Sequence, residues 1–198
     1  PDNKLLNEVF RSGEVGEEKD HINVAYKGPR GAQSVRSTTL NLHGTAQLAA
    51  VNPLVSPDDG NSRNITWKGN ISNAQIAGIT LGVGALDFGA IERAMDETLL
   101  MNLGGSDNKL LNEVFRSGEV GEEKDHINVA YKGVRGAQSV RSTTLNLHGA
   151  LQLAAVNPLV SPDDGNSRNI TWKGNITNAQ IAGITLGVGA LDFRAIER

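Results

Sequence analysis

The stretch NSRNITWKGNI at residues 61–71 recurs without a change at residues 166–176. The match extends outward in both directions, so that residues 1–93 align with residues 106–198 without a gap, at an offset of 105 residues. The aligned positions that differ are Pro1/Ser106, Pro29/Val134, Thr45/Ala150, Ala46/Leu151, Ser72/Thr177 and Gly89/Arg194. The period is far longer than the roughly 20–50 residues of common solenoid repeats. We therefore expect each repeat unit to be large enough to form a hydrophobic core of its own.

The repeat predicts two units, at residues 1–103 and 107–198, joined by a Gly-Gly-Ser segment at residues 104–106. The second unit is incomplete at the helix predicted for its C-terminal end. A natural array, in which neighbouring units stay alike, is favoured because most of the differences between the copies are mild. A deliberate tandem fusion of a homodimer is the alternative.

Composition excludes several classes of protein. The 198 residues include 19 basic and 22 acidic side chains, and the net charge of −3 does not indicate a strongly basic nucleic-acid or membrane-surface binder. The chain has no cysteine, which excludes disulfides, thiolate zinc sites and cysteine nucleophiles. Its apolar runs are shorter than the roughly 20 residues of a membrane helix. We therefore expect no membrane insertion.

Two helices are predicted in each unit, one at either end. Apolar side chains at Leu5, Leu6, Val9 and Phe10 predict a helix over residues 3–10, with its copy over residues 107–116. A second helix is predicted over residues 90–103, ended by the glycines at 104 and 105.

These helices predict a stiff helical hairpin between the units. We expect its packing to come from six apolar residues: Ile91, Met95, Leu99, Leu110, Val114 and Phe115. The outer helices at the two ends of the chain then lack partners, and we expect them to fray or to pair with a neighbouring molecule.

The middle of each unit predicts β-strands. Apolar alternation and β-branched residues predict strands over residues 21–26, 35–42 and 64–71, and the apolar stretch at 75–83 predicts a further strand. Residues 47–55 fit either a strand or a short helix. Trp67 and Trp172 are expected to anchor the two cores.

The predicted fold class is therefore α+β: two near-identical units, each with four or five mainly antiparallel strands and terminal helices. A β-sandwich or a short β-solenoid in each unit is the alternative.

Catalytic and cofactor motifs are weak throughout. His21, His43 and their copies have no metal-ligand spacing, and we interpret them as polar residues at strand ends. Serines occur in no nucleophile elbow, and the glycines at 82 and 84 lack the dinucleotide-binding spacing. We expect no enzyme activity and no cofactor.

The turn at residues 58–62 offers oxygen ligands that a calcium ion could use, although it lacks the spacing of an EF-hand loop. An ordinary turn is the favoured interpretation. The weak calcium candidates are Asp58, Asp59, Asn61, Asp163, Asp164 and Asn166.

One basic stretch in each unit, YKGPRGAQSVR in the first, could contact phosphates while its tyrosine stacks on a base. Its candidate binding residues are Tyr26, Lys27, Arg30, Arg36, Tyr131, Lys132, Arg135 and Arg141. Acidic neighbours and the negative net charge make nucleic acid the weaker choice of partner.

The sequence thus predicts a non-catalytic structural or interaction module, part of a larger surface, adhesive or filament protein. Its expected partners are further copies of the same module, or another protein or glycan surface, bound through avidity. An extracellular or cell-surface location is slightly favoured. The alternative function is a tethered homodimer of a small ligand- or RNA-binding subunit.

Overall fold

The computed structural model describes residues 3–91 and 98–196. Its strands in chain order are β1 (Asn7–Ser12), β2 (Lys19–Lys27), β3 (Ser34–His43), β4 (Leu48–Ala49), β5 (Asn61–Lys68), β6 (Lys109–Ser117), β7 (Lys124–Lys132), β8 (Ser139–His148), β9 (Leu153–Ala154) and β10 (Asn166–Lys173). Its helices are α1 (Asn73–Thr80), α2 (Thr98–Asn102) and α3 (Asn178–Thr185).

All described strands belong to one antiparallel sheet. The sheet order is β1-β2-β3-β5-β6-β7-β8-β10, with β4 paired to β3 and β9 paired to β8. The first unit thus supplies one half of the sheet and the second unit the other half, and the halves meet where β5 pairs with β6. The prediction of mainly antiparallel strands is confirmed. A single sheet differs from the two separate sheets of the β-sandwich alternative.

Alternation of side chains explains the central strands. Ile22 and Val24 of β2 are buried, as are Leu40 and Leu42 of β3, while Asn23, between the first two, is partly exposed. Successive side chains of a strand point to opposite faces, so this pattern defines an apolar inner face. The strands predicted over residues 21–26 and 35–42 are confirmed, and the one predicted over 64–71 ends earlier, at Lys68.

Helices and loops cover the inner face. Ile76 and Ile79 of α1 are buried against the sheet, and so is Leu100 of α2. The indole Nε1 of Trp67 donates a 2.7 Å hydrogen bond to the carbonyl oxygen of Leu100. The buried apolar residues of both halves form one continuous cluster, so the core crosses the boundary between the units.

The helices predicted over residues 3–10 and 107–116 are wrong, because these segments contain strands β1 and β6. The helical spacing of their apolar residues has another cause. The pairing of β6 shifts register between Asn112 and Leu110, which displaces the apolar residues from strict alternation. In addition, an inner position of β6 holds a charged residue, Glu113, where a strand pattern would show an apolar one.

The predicted helical hairpin is also absent from the described residues. Ala90 and Ile91 lie outside any helix, and the helical turn in this region is α2. Met95 lies outside the described residues. Leu110 and Phe115 are buried as expected, but they are buried from strand β6.

The strand predicted over residues 75–83 is wrong, because most of it lies in helix α1. Ser72 caps this helix: its hydroxyl oxygen accepts a hydrogen bond from the backbone N–H of Gln75, and the Gln75 side chain accepts one from the backbone N–H of Ser72. This reciprocal arrangement is a capping box. The ambiguous residues 47–55 contain only the two-residue strand β4, followed by turns.

Within residues 3–91 and 98–196, no helix has the length and apolar character needed to cross a membrane.

Candidate functional site

The candidate site is the junction between the two units, where β5 pairs with β6. The two strands run antiparallel, with Arg63 opposite Phe115, Asn64 opposite Val114 and Ile65 opposite Glu113. The junction therefore joins the last long strand of one unit to the first strand of the next.

A buried ion pair crosses this junction. Arg63 and Glu113 have fully buried side chains, and the Arg63 Nε lies 2.9 Å from Oε2 of Glu113 while one terminal guanidinium nitrogen lies 2.5 Å from the same oxygen. Burying two charges is costly unless both are paired and hydrogen-bonded. The structure meets this condition, because each partner also makes further hydrogen bonds.

The remaining contacts of the pair extend into both units. Arg63 donates to the backbone carbonyl oxygens of Phe88 at 3.0 Å and Ile91 at 2.7 Å. The hydroxyl of Tyr131 donates to Oε1 of Glu113 at 2.9 Å. The guanidinium carbon of Arg63 lies 4.7 Å from the ring centre of Phe115, within the range of a cation–π contact. The ion pair thus connects the first unit to strands β6 and β7 of the second.

Further hydrogen bonds also hold the junction. The side-chain amide of Asn108 donates to the carbonyl oxygens of Lys68 and Asn70 at 2.8 and 3.0 Å. The backbone N–H of Asn61 donates to Glu123 Oε1 at 2.9 Å. These bonds link the ends of β5 to the second unit.

The backbones approach closely at Gly60. A Cβ atom at this position would lie 2.7 Å from the backbone carbonyl oxygen of Gly118 in the second unit, which is closer than such atoms can approach. At Gly165, the copy of Gly60, a Cβ atom would meet nothing within 4 Å. The same local sequence is therefore crowded at the junction and open at the β10 edge.

The chain matches no known protein family, no curated protein sequence and no solved structure. The junction and the two outer edges of the sheet are the features that bear on its function.

The outer edges carry the same side chains as the junction. Strand β10 repeats the sequence of β5, and residues 4–12 repeat the sequence of β6. Glu8, the copy of Glu113, is exposed, and Arg168, the copy of Arg63, is partly exposed. Among the described residues, β1 pairs only with β2, and β10 pairs only with β8.

The turn that contains the weak calcium candidates is internally hydrogen-bonded. Oδ2 of Asp59 accepts a hydrogen bond from the backbone N–H of Ser56 at 2.8 Å, and Asp164 does the same with Ser161. The Lys19 ammonium group donates to the backbone carbonyl oxygen of Asp59 at 2.7 Å. No group of three or more His, Cys, Asp or Glu side chains in the described part of the chain could hold a metal ion.

The two basic stretches lie at the hairpins β2–β3 and β7–β8, with the lysines and Arg36 and Arg141 exposed. The tyrosine hydroxyls are bonded to glutamates: Tyr26 donates to Glu8 at 2.5 Å and Tyr131 to Glu113. Arg135 donates to the carbonyl oxygen of Gly104 at 2.8 Å, at the end of α2. Tyr131 and Arg135 thus take part in joining the units, a role that the phosphate-binding hypothesis did not include.

A polar cleft of about 310 Å³ lies beside the junction, lined in part by Asn23, Asn41, His43, Asn61, Asn64 and Glu123. The His43 Nε2–H donates to the backbone carbonyl oxygen of Asp20 at 2.9 Å. Burial lowers the pKa of His43, and burial together with the charge of His43 lowers the pKa of His21. Burial therefore disfavours the charged form of both imidazoles in the folded protein.

The residues that form the junction were not among the predicted site residues, apart from Asn61, Tyr131 and Arg135. Arg63 and Glu113 are 50 positions apart, so no local spacing connects them. One available signal was the charged residue on the inner side of a strand: Arg63 shares the face of Ile65 and Trp67, a position at which an unpaired charge is very rare.

The positions at which the copies differ lie outside β5 and β6. Pro29 and Thr45, with their copies Val134 and Ala150, are exposed turn residues, and Ser106 lies in the turn that precedes β6. Ser72 and Thr177 both serve as helix caps. The junction strands and their copies at the outer edges are thus chemically the same.

Proposed function

We propose that this chain is a non-catalytic structural module whose repeat units join edge to edge into one extended sheet, as part of a larger surface, adhesive or filament protein. The observation that carries the proposal is the pairing of β5 with β6 across the fully buried Arg63–Glu113 ion pair.

The type of junction supports an array over a tethered homodimer. In a two-fold symmetric dimer, the same surface of both subunits forms the interface. Here β5 meets the copy of β1, and the copy of β5 itself lies at the far edge of the sheet as β10. Such a head-to-tail contact leaves one competent edge at each end, and it favours addition of further units.

The partners that we propose are therefore further copies of the unit. Repeat arrays gain stability from each interface between neighbours as well as from each unit. A glycan or another protein bound to the exposed surfaces would then be held by many copies at once.

A three-unit chain tests the proposal. We would place a second copy of residues 1–105 before Pro1, so that Glu8 becomes a junction residue like Glu113. The extended chain should unfold in urea in one transition, with a higher midpoint than the 198-residue chain, because it contains an additional junction.

The matched control is Glu8→Ala in both chains. In the extended chain this change should lower the free energy of unfolding by about 3–5 kcal/mol, because it leaves an arginine buried and unpaired. In the 198-residue chain it should cost about 1 kcal/mol or less, because Glu8 is exposed there. Equal costs in the two chains, or separate transitions in the extended chain, would contradict the proposal.

A further inference from the structure

We infer that β1 of one molecule pairs with β10 of a second copy of this chain, in the register of the β5–β6 junction. This inference rests on the proposed function, since it extends the junction within the chain to a contact between molecules. The assembly is head-to-tail, and each added molecule presents a fresh β10 edge or a fresh β1 edge.

The two edge strands repeat the sequences of two strands that already pair with each other within the molecule. Strand β10 reads NSRNITWK, as β5 does, and residues 4–12 read KLLNEVFRS, as β6 does. The register of the junction places Asn169 opposite Val9 and Ile170 opposite Glu8 in the intermolecular pair. Unpaired strand edges are templates for pairing with another chain.

The charges of the two edges are complementary. Arg168 is held in position by hydrogen bonds from its guanidinium group to Gln152 at 3.3 Å and to the carbonyl oxygen of Phe193 at 2.6 Å. Glu8 is held by the hydroxyl of Tyr26. These are the contacts that Arg63 and Glu113 make with Gln47, Phe88 and Tyr131 at the junction. Each edge therefore displays one prearranged half of the buried ion pair.

The exposed apolar side chains of the two edges also support this contact. Leu5 and Phe10 are 43% and 41% exposed, whereas their copies Leu110 and Phe115 at the junction are 0% and 6% exposed. On the opposite edge, Trp172 is partly exposed while Trp67 is fully buried. Docking of the two edges removes this surface from water, which favours association.

The close backbone approach at Gly60 can also form between molecules, at its copy Gly165. Gly165 is open at the β10 edge, and the junction shows that its copy Gly60 lies against the carbonyl oxygen of Gly118. In the intermolecular contact, Gly165 would lie against Gly13 of the second molecule, with no room for a Cβ atom. A side chain at position 165 is thus harmless within one molecule and obstructs contact between molecules.

Cysteine trapping tests the register. The chain has no cysteine of its own, so Val9→Cys in one preparation and Asn169→Cys in another give a single reactive pair on mixing. We expect a disulfide-linked heterodimer under mild oxidation, because residues opposite each other in an antiparallel pair lie within disulfide range. The positive control is Asn64→Cys with Val114→Cys in one chain, which should close the equivalent bond within the molecule.

The register control is Asn7→Cys mixed with Asn169→Cys, a pair displaced by two residues. It should cross-link far less than the Val9 and Asn169 pair. Equal cross-linking of the two pairs, or homodimers from either single variant as the main product, would overturn the inferred contact.

Measurements of self-association test how strongly the two edges bind each other. Sedimentation of the wild-type chain from micromolar to millimolar concentration should show a mass that grows with concentration. Gly165→Ala and Glu8→Ala should each weaken association by about a hundredfold, through a steric clash and through a buried unpaired arginine respectively. Glu122→Ala, which removes the same charge from an exposed loop of the second unit, should leave association unchanged.

All three variants should keep the circular dichroism spectrum of the wild-type monomer, and each should cost the monomer about 1 kcal/mol of unfolding free energy or less, since the altered groups are exposed or have open space around them. A wild-type chain that stays monomeric at every concentration would overturn this inference. The three-unit experiment would still decide the proposed function, because its junctions lie within one chain.

Discussion

At the scale of single residues, the decisive feature is a charged pair placed where the sequence pattern calls for apolar side chains. Arg63 and Glu113 are each fully buried, and each is hydrogen-bonded to groups from its own unit as well as to the other. The pair fixes the register of the junction, because a shift of β6 by one residue would turn Glu113 to the face of the sheet opposite Arg63.

The first prediction concerns Glu113→Ala. We expect it to lower the free energy of unfolding by about 3–5 kcal/mol, because Arg63 would remain buried without its counter-ion. Urea denaturation followed by circular dichroism measures this change. Glu8→Ala is the matched control, with the same residue in the same sequence at an exposed edge. Similar costs for both variants would mean that the junction contributes nothing specific.

The second prediction concerns pH. Burial lowers the pKa values of His21 and His43 in the folded chain, so below the ordinary value of about 6.5 the unfolded chain binds more protons than the folded one. The free energy of unfolding should therefore fall as pH decreases from about 7.5 to about 5.5. Around His43, Lys19 reinforces the shift, whereas Glu123 and Asp20 oppose it.

Urea titrations at several pH values measure this slope. The double variant His21→Gln and His43→Gln should have a flatter profile over the same range. An unchanged slope in that variant would assign the pH dependence to other groups.

Residue-level chemistry of this kind was only partly accessible from the sequence. The turn around Asp59 was foreseen, since Asp, Pro and Gly are typical turn residues. The partner of Arg63 was not, because it lies on a strand of the other unit and is brought close only by the complete sheet. The basic stretch is visible in the sequence, but the bonding of Tyr131 to Glu113 depends on the same long-range contact.

At the scale of elements, strands with clear alternation were predicted well and elements with local exceptions were not. β2 and β3 follow period-two patterns and were identified with their turns. β6 carries a register shift and a buried glutamate, and both features imitate the spacing of a helix. In α1 the apolar content favours a strand, whereas the spacing of Ser72 and Gln75 is typical of the capping box that begins a helix.

The third prediction tests that cap. Ser72→Ala should lower the free energy of unfolding by about 1 kcal/mol, because the first turn of α1 loses the side chain that accepts its backbone N–H. Ser72→Thr is the natural control, since Thr177 performs the same role in α3. In urea denaturation, the Ser72→Ala variant should have a lower midpoint than the Ser72→Thr variant. Equal midpoints for the wild-type chain and both variants would rule out a stabilising cap.

At the scale of the whole molecule, a shared core and a continuous sheet couple the two halves. The fourth prediction is that they unfold together. Trp67→Phe leaves a reporter in the second half, and Trp172→Phe leaves one in the first. In each variant the fluorescence transition should coincide with the circular dichroism transition of the entire sheet, as expected for a two-state process.

Adding Glu113→Ala to either tryptophan variant should weaken the coupling between the halves and separate the two signals. Separate transitions in the starting variants would show instead that each unit is stable independently of its neighbour.

Because β5 meets a copy of β1 and never a copy of itself, any stack of these units is polar. In the proposed assembly, one terminus presents a carboxylate and the other a guanidinium group, so the two termini would elongate at different rates and would be capped by different molecules. A fragment with only one competent edge would act as a chain terminator, and the edge it lacks would decide which terminus stops growing.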